Sequence, residues 1–378
     1  MSRIRNSICA RLIIAACCAL PASAQWHDQQ SDQYLVETDV DTDTAREAQL
    51  RLDKIVAEYQ SVLGDSAKKI TTRSHVRLYK TIDAYFKDGG LSGTAGVFLP
   101  RDPDPVLLVY VGERPTFSTW HSLQHEAFHQ FLFRSGLKLP VWMNEGLAEY
   151  FGEFIFTGDS YTDGLIPPWR LKRLEEEINT DQLQPFEKFM NQSHDQWTDD
   201  IQIRNYDQAW SLMHFILHAE KSKHRPQLTD YLIRISNGET FAKAWPAAFG
   251  NANDLEKSWR TYWLKQEENA TSRTYAKATV AILTSFLARA TAMGQHFTSY
   301  DDFATKAEQG QLKISETDWL PKRLLKEAQQ AARGGKWELN NSTTQPSVVV
   351  MLGQSQYLRG EFELDGQRVK RVSVRTIP

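Results

Sequence analysis

The strongest chemistry in the chain sits in His125-Glu126-Ala127-Phe128-His129. On a helix, residues four apart lie one turn above each other on one face, so both imidazoles can aim at a single ion. Glu126 points about a quarter turn away from His125. From there it can reach an attacking water without occupying the metal. Farther along, Asn144-Glu145-Gly146-Leu147-Ala148-Glu149 offers a hard oxygen ligand in Glu145, 16 positions after His129. Glu149 follows one helical turn later on the same face. Two imidazoles and one carboxylate leave a fourth position open, as a catalytic zinc requires and a structural zinc does not.

These residues need a helix to present them. Phe117, Trp120, Leu123, Ala127, Phe128 and Phe131 fall on one arc of the helical wheel, with the His pair roughly opposite. The apolar arc is predicted to bury and the other face to line a cleft. Thr116 or Ser118 suits the N-cap and Gly136 the stop. Upstream, Tyr34–Val40, Val76–Lys80, Gly96–Leu99 and Val106–Val111 read as strands, and Ala45–Leu63 as a helix. Asp39, Asp41 and Asp43 look like the start of a calcium loop, but Thr44 and Leu50 stand where Gly and Glu are needed, so they read as an acidic helix start. Downstream, helices are predicted over Arg170–Ile178, Tyr206–Phe215, Gln227–Ser236 and Leu255–Glu268, with a polar loop over Asn191–Arg204.

The two segments together resemble the gluzincin branch of zinc metallopeptidases, the thermolysin-like peptidase MA clan, whose pattern is H-E-x-x-H followed by N-E-x-x-(A/S)-(D/E). The run Leu139–Tyr150 is also similar to a bacterial subfamily of exported peptidase-MA-like proteins of unknown substrate. The resemblance implies that His125, His129 and Glu145 hold one zinc ion, Zn2+, per chain, that Glu126 is the general base, and that Glu149 orients a ligand imidazole. It implies an α+β fold in which a small mixed sheet lays an edge strand, in the position of Val106–Val111, over the metal helix, followed by a mainly helical half. An extended peptide could add to that edge; the alternative, which the continuous apolar run suits equally, is a fully paired core strand. It also points to Tyr206, 61 residues after Glu145, since gluzincin aminopeptidases place an oxyanion-stabilising Tyr at a similar distance. The alternative for Tyr206 is an amphipathic side chain packed on Trp210.

Other histidines are weaker candidates. His121 is one turn before His125, but the helix rotates about 40° per four-residue step and carries it off the ligand axis. His214 and His218 could assist the oxyanion, although such histidines are more often core residues.

Residues 1–24 read as a secretory leader: Arg3, Arg5 and Arg11, an apolar run from Leu12 to Leu20, then Ala22-Ser23-Ala24 before Gln25. A lipobox at Ile14-Ala15-Ala16-Cys17 ranks lower, because little apolar sequence separates it from Arg11. All 3 cysteines lie in this leader, so the exported chain, periplasmic or secreted, has neither disulfides nor thiolate chemistry. Removing the leader leaves 41 basic against 47 acidic residues, a net charge of −6 without basic runs, which argues against nucleic acid. The longest apolar stretch, Ala276–Ala290, is too short to span a bilayer. Residues 25–270 are expected to form the metallopeptidase domain. Residues 271–378 read as a small α+β appendage with helices over Tyr275–Met293 and Leu320–Ala332, then strands over Trp337–Leu339, Ser347–Leu352, Tyr357–Leu364 and Arg368–Val374. The appendage shows no chemistry of its own; binding a protein partner, guiding substrate or covering the catalytic part are its open roles.

The expectation is an exported zinc peptidase acting on a peptide or protein. Two alternatives stay open: a zinc amidase acting on a cell-wall or other non-protein amide, and a non-catalytic envelope binding protein with a vestigial metal site.

Overall fold

Asp41 caps the first long helix by accepting from the Thr44 amide at 2.7 Å, so the acidic stretch is a helix start and not a calcium loop. The structure, a computed structural model, describes residues 25–199, 202–267, 270–341, 345–353 and 356–378. The expected leader lies outside the described residues. In chain order, β1 (His27–Gln30), β2 (Tyr34–Thr38), α1 (Thr42–Leu63), β3 (Ser74–Tyr79), α2 (Ile82–Lys87), β4 (Gly96–Leu99) and β5 (Val106–Tyr110) make the first part of a mixed α+β fold.

The five strands form one sheet in the order β1-β2-β3-β5-β4. β2, β3 and β5 run parallel, and the two edge strands run antiparallel to their neighbours. The expected edge over the metal helix is therefore corrected. Val106–Val111 lies inside the sheet, and Gly96–Leu99 is the edge. The reason is burial: Val106, Leu107, Leu108 and Val109 are all at most 3 % exposed, and a continuous apolar run of this kind suits a strand covered on both faces. One face packs on α1 through Ala48 and Leu52 and on the metal helix through Leu123 and Ala127. The other face packs near Tyr85 of α2.

Next come α3 (Phe117–Ser135) and α4 (Val141–Gly152), the short hairpin β6 (Ile155–Phe156) and β7 (Tyr161–Thr162), and then α5 (Pro168–Asn179), α6 (Phe186–Met190), α7 (His194–Asp199), α8 (Ile203–Ser222), α9 (Arg225–Ser236), α10 (Phe241–Phe249) and α11 (Ala252–Trp263). Thr116 caps α3 reciprocally with Thr119, each hydroxyl accepting from the other's amide at 3.1–3.3 Å. Gly136 closes the helix at φ 73°, a left-handed conformation that favours glycine. Trp120, Leu123, Ala127, Phe128 and Phe131 are buried as the wheel predicts, but Phe117 is 57 % exposed because it opens the helix at its first residue. The predicted polar loop over Asn191–Arg204 contains α7, which buries Trp197.

The C-terminal part comprises α12 (Ser272–Ala292), α13 (Tyr300–Glu308), α14 (Lys322–Ala331) and an antiparallel sheet of β8 (Trp337–Asn340), β9 (Ser347–Leu352), β10 (Gln356–Asp365) and β11 (Arg368–Ile377). Its four predicted strands are all present, whereas α13 carried no helix signal strong enough to be read. This part joins the rest through one core: Ile282, Leu283 and Phe286 cluster with Phe154 and Phe156. Buried polar ties reinforce the junction, with Arg289 pairing Asp159 at 2.9 Å and Asp318 at 2.8 Å. Among the described residues no helix is long and apolar enough to cross a membrane.

Candidate metal centre

The two metal-bearing helices meet because α4 is small where α8 crosses it. A Cβ on Gly146 would lie 2.6 Å from the Ala209 carbonyl oxygen and 2.9 Å from Met213 Cγ, so only glycine permits this approach. The contact fixes α4 between α3 and α8, and α8 begins beside the site with Tyr206.

Across α3 and α4, three donor atoms form a small triangle. His125 Nε2 and His129 Nε2 are 3.1 Å apart, and Glu145 Oε2 is 3.7 Å from the first and 3.8 Å from the second. Among the described residues these three are the group of His, Cys, Asp or Glu side chains able to share one ion. A tetrahedral zinc with bonds of about 2.0–2.2 Å needs ligand atoms roughly 3.3–3.6 Å apart. The three separations fall on either side of that range, one 0.2 Å short of it and two 0.1–0.2 Å beyond it, and the donor set suits zinc. The set also matches the two-imidazole, one-carboxylate chemistry that leaves one position open.

The imidazoles are held from behind. His125 Nδ1 donates to Glu149 Oε1 at 3.1 Å, and His129 Nδ1 to Asn144 Oδ1 at 3.1 Å. Both rings are thereby oriented with Nε2 toward the triangle. Asn144 was not assigned this role from sequence, although it stood directly before Glu145. Burial opposes a charge on His125, but the Glu149 hydrogen bond and the charges of Glu149, Glu126 and Glu145 outweigh it and raise the imidazole to about 9. Burial and the neighbouring His125 lower His129 to about 4. Burial raises Glu145.

Glu149 is anchored in turn by an arginine that no local pattern revealed. Arg170, on α5 and 2 % exposed, reaches Glu149 Oε2 at 2.7 Å, Glu153 Oε1 at 3.1 Å and Asp207 Oδ1 at 2.8 Å. Its guanidinium lies 4.6 Å over the Trp210 ring. Arg173 adds a second cation to Asp207 at 2.8 Å. Burial works against ionisation of Glu149, yet Arg170 and His125 together hold its carboxyl well below the usual range. The signal was hidden because Arg170 is 21 residues from Glu149 and 37 from Asp207 in sequence.

Glu126 reaches β4, where its Oε2 accepts from the Phe98 amide at 2.9 Å, and its charge acts on both His125 and His129. A Cβ on Gly96 would sit 3.0 Å from Glu126 Cγ. The general-base candidate thus lies under the edge strand. Tyr206 is half-buried and lines a cleft of about 390 Å³ with His121, Glu149 and Arg170. Burial raises its phenol to about 12, and Glu145 is the leading charge acting on it, with Glu149 and Glu126 behind. Its ring packs on Trp197 at 5.5 Å, not on Trp210.

The remaining histidines stand elsewhere. His121 Nε2 faces Glu153 at 3.6 Å and Glu149 at 3.9 Å, outside the triangle. His214 is 2 % exposed, with Nε2 3.4 Å from the Gly164 carbonyl. His218 bonds the Tyr150 hydroxyl at 2.8 Å. His214 lies in the core beside α4, and His218 is partly buried next to it.

The family model described as a protein of unknown function, DUF1570, matches residues 120–242. That span runs from α3 into the start of α10 and includes the triangle, Glu126, Glu149, Arg170 and Tyr206. No curated protein matches the chain.

Proposed function

We propose that this chain is an exported zinc peptidase of the gluzincin type. The observation that carries the reading is the triangle of His125, His129 and Glu145 with both Nδ1 atoms fixed, set one residue from Glu126, whose carboxylate meets the edge strand β4 at the Phe98 amide. Zinc held there supplies a Lewis acid that activates water and polarises the scissile carbonyl. Glu126 takes the proton from the attacking water and passes it to the leaving amine. The Tyr206 phenol, protonated at neutral pH, donates to the oxyanion as charge develops on it. Among the described residues β4 pairs with β5 alone, so its outer backbone groups other than the Phe98 amide, which Glu126 holds, can pair with an extended substrate. This edge favours a peptide over a non-protein amide as the substrate.

The first test is elemental analysis of the purified exported chain beside Glu145→Ala. The expected result is one zinc per wild-type chain, lost or much weakened in the variant. Absence of zinc from wild type after reconstitution would sink the proposal and leave the binding-protein reading.

A further inference from the structure

A second cavity lies alongside α3, one turn from the metal centre, and the C-terminal part of the chain builds its far wall. Its volume is about 270 Å³. Trp120 of α3 and Phe156 of β6 line one side, and Tyr275 and Ile282 of α12 with Leu324 of α14 line the other. Phe117 and His121 border both this cavity and the cleft that holds Glu149 and Tyr206. The two spaces therefore meet at these side chains.

The cavity's chemistry is apolar despite two arginines in its lining. The guanidiniums of Arg51 and Arg323 stack on Trp120 at 4.4 and 5.4 Å. Both pair with the buried Glu47 at 2.7 Å, and Arg323 also faces Glu327 at 3.6 Å, so two carboxylates offset the two cations in the wall. The volume falls below the roughly 300–1,000 Å³ of sites that hold a whole small molecule. It suits one side chain. The His121 and His125 rings are 6.3 Å apart, and an extended peptide advances about 3.3 Å per residue. A side chain entering here thus belongs about two residues from the bond that is cut.

We propose that this cavity is a specificity subsite for one bulky apolar side chain of the peptide substrate, and that α12 and α14 are part of the substrate-binding surface. The inference rests on the peptidase reading. The test uses the zinc-loaded exported chain and fluorogenic peptides varied one position at a time among Gly, Asp, Lys, Leu, Phe and Trp. Wild type should prefer Leu or Phe over Gly at one position by about tenfold or more, the discrimination an apolar pocket supplies. Ala331→Trp, at an exposed residue of the rim, should fill the mouth and bring that preference close to one. Tyr275→Ala, at a side chain 45 % exposed, should widen the cavity and move the preference toward Trp. Cleavage by wild type without an apolar preference, or an unchanged preference in both variants, overturns the subsite and leaves the peptidase reading standing. If zinc-loaded wild type cleaves no peptide and matches Glu126→Gln, the peptidase reading fails and the subsite falls with it.

Discussion

The Phe98 amide donates to Glu126 Oε2 at 2.9 Å, joining the sheet edge to α3 at the carboxylate proposed as the general base. The bond orients Glu126 from a strand that would itself receive substrate. Phe98→Pro deletes this donor at an edge position, where a missing N–H costs no ladder bond. Hydrogen bonds to charged groups contribute about 1.5–3 kcal/mol, so kcat should fall by about tenfold or more while zinc content stays at the wild-type level. Steady-state kinetics beside elemental analysis would check both halves. An unchanged kcat would deny the amide a positioning role.

Glu126→Gln should abolish turnover and leave zinc bound, since Glu126 is outside the ligand triangle. Glu149→Gln should do the reverse in emphasis, weakening zinc by about 10- to 100-fold through the loss of a charged partner behind His125. Competition with a chromogenic chelator would measure the second effect.

Arg170 holds three carboxylates, Glu149, Glu153 and Asp207, in a setting where Arg170 itself is 2 % exposed. Removing one partner of a buried charge cluster leaves the others uncompensated, at a cost of about 3–5 kcal/mol. Arg170→Met is therefore expected to destabilise the fold by that order in denaturant titration. Arg170→Lys should recover little, because a single ammonium cannot reproduce the planar fork.

Tyr206→Phe removes a hydroxyl from a cleft without emptying the ring's place beside Trp197. If the phenol serves the oxyanion, kcat should drop by about a hundredfold to a thousandfold with little change in melting temperature or zinc content. A variant as active as wild type would return Tyr206 to a packing role.

The buried pair His214 and His218 gives the fold a pH dependence with a definite sign. Burial lowers both imidazoles from 6.5, His214 well below it, so the folded chain resists protons that the unfolded chain accepts. Their contribution to stability is full above about pH 6.5 and is lost as pH falls below it, at up to about 1.4 kcal/mol per pH unit for each histidine. Urea titrations from pH 8 to 5 should show this slope, and His214→Gln should flatten it.

Local order was legible in the chain. Four-residue spacing placed His125 and His129 on one face, the Thr116 and Gly136 signals bounded α3, and runs of strand-forming residues marked all four C-terminal strands, because such patterns are properties of neighbouring residues. The side chains facing the triangle were named in advance for the same reason, since each pattern lies within one helix. What only the tertiary structure decided was which elements meet. β4, not β5, became the edge because strand order depends on burial of both faces of β5. Asn144 and Arg170 joined the site through contacts that no period encodes. His214 went to the core, and α12 and α14 came to wall a cavity beside α3, because packing brings together residues whose separation in sequence carries no signal.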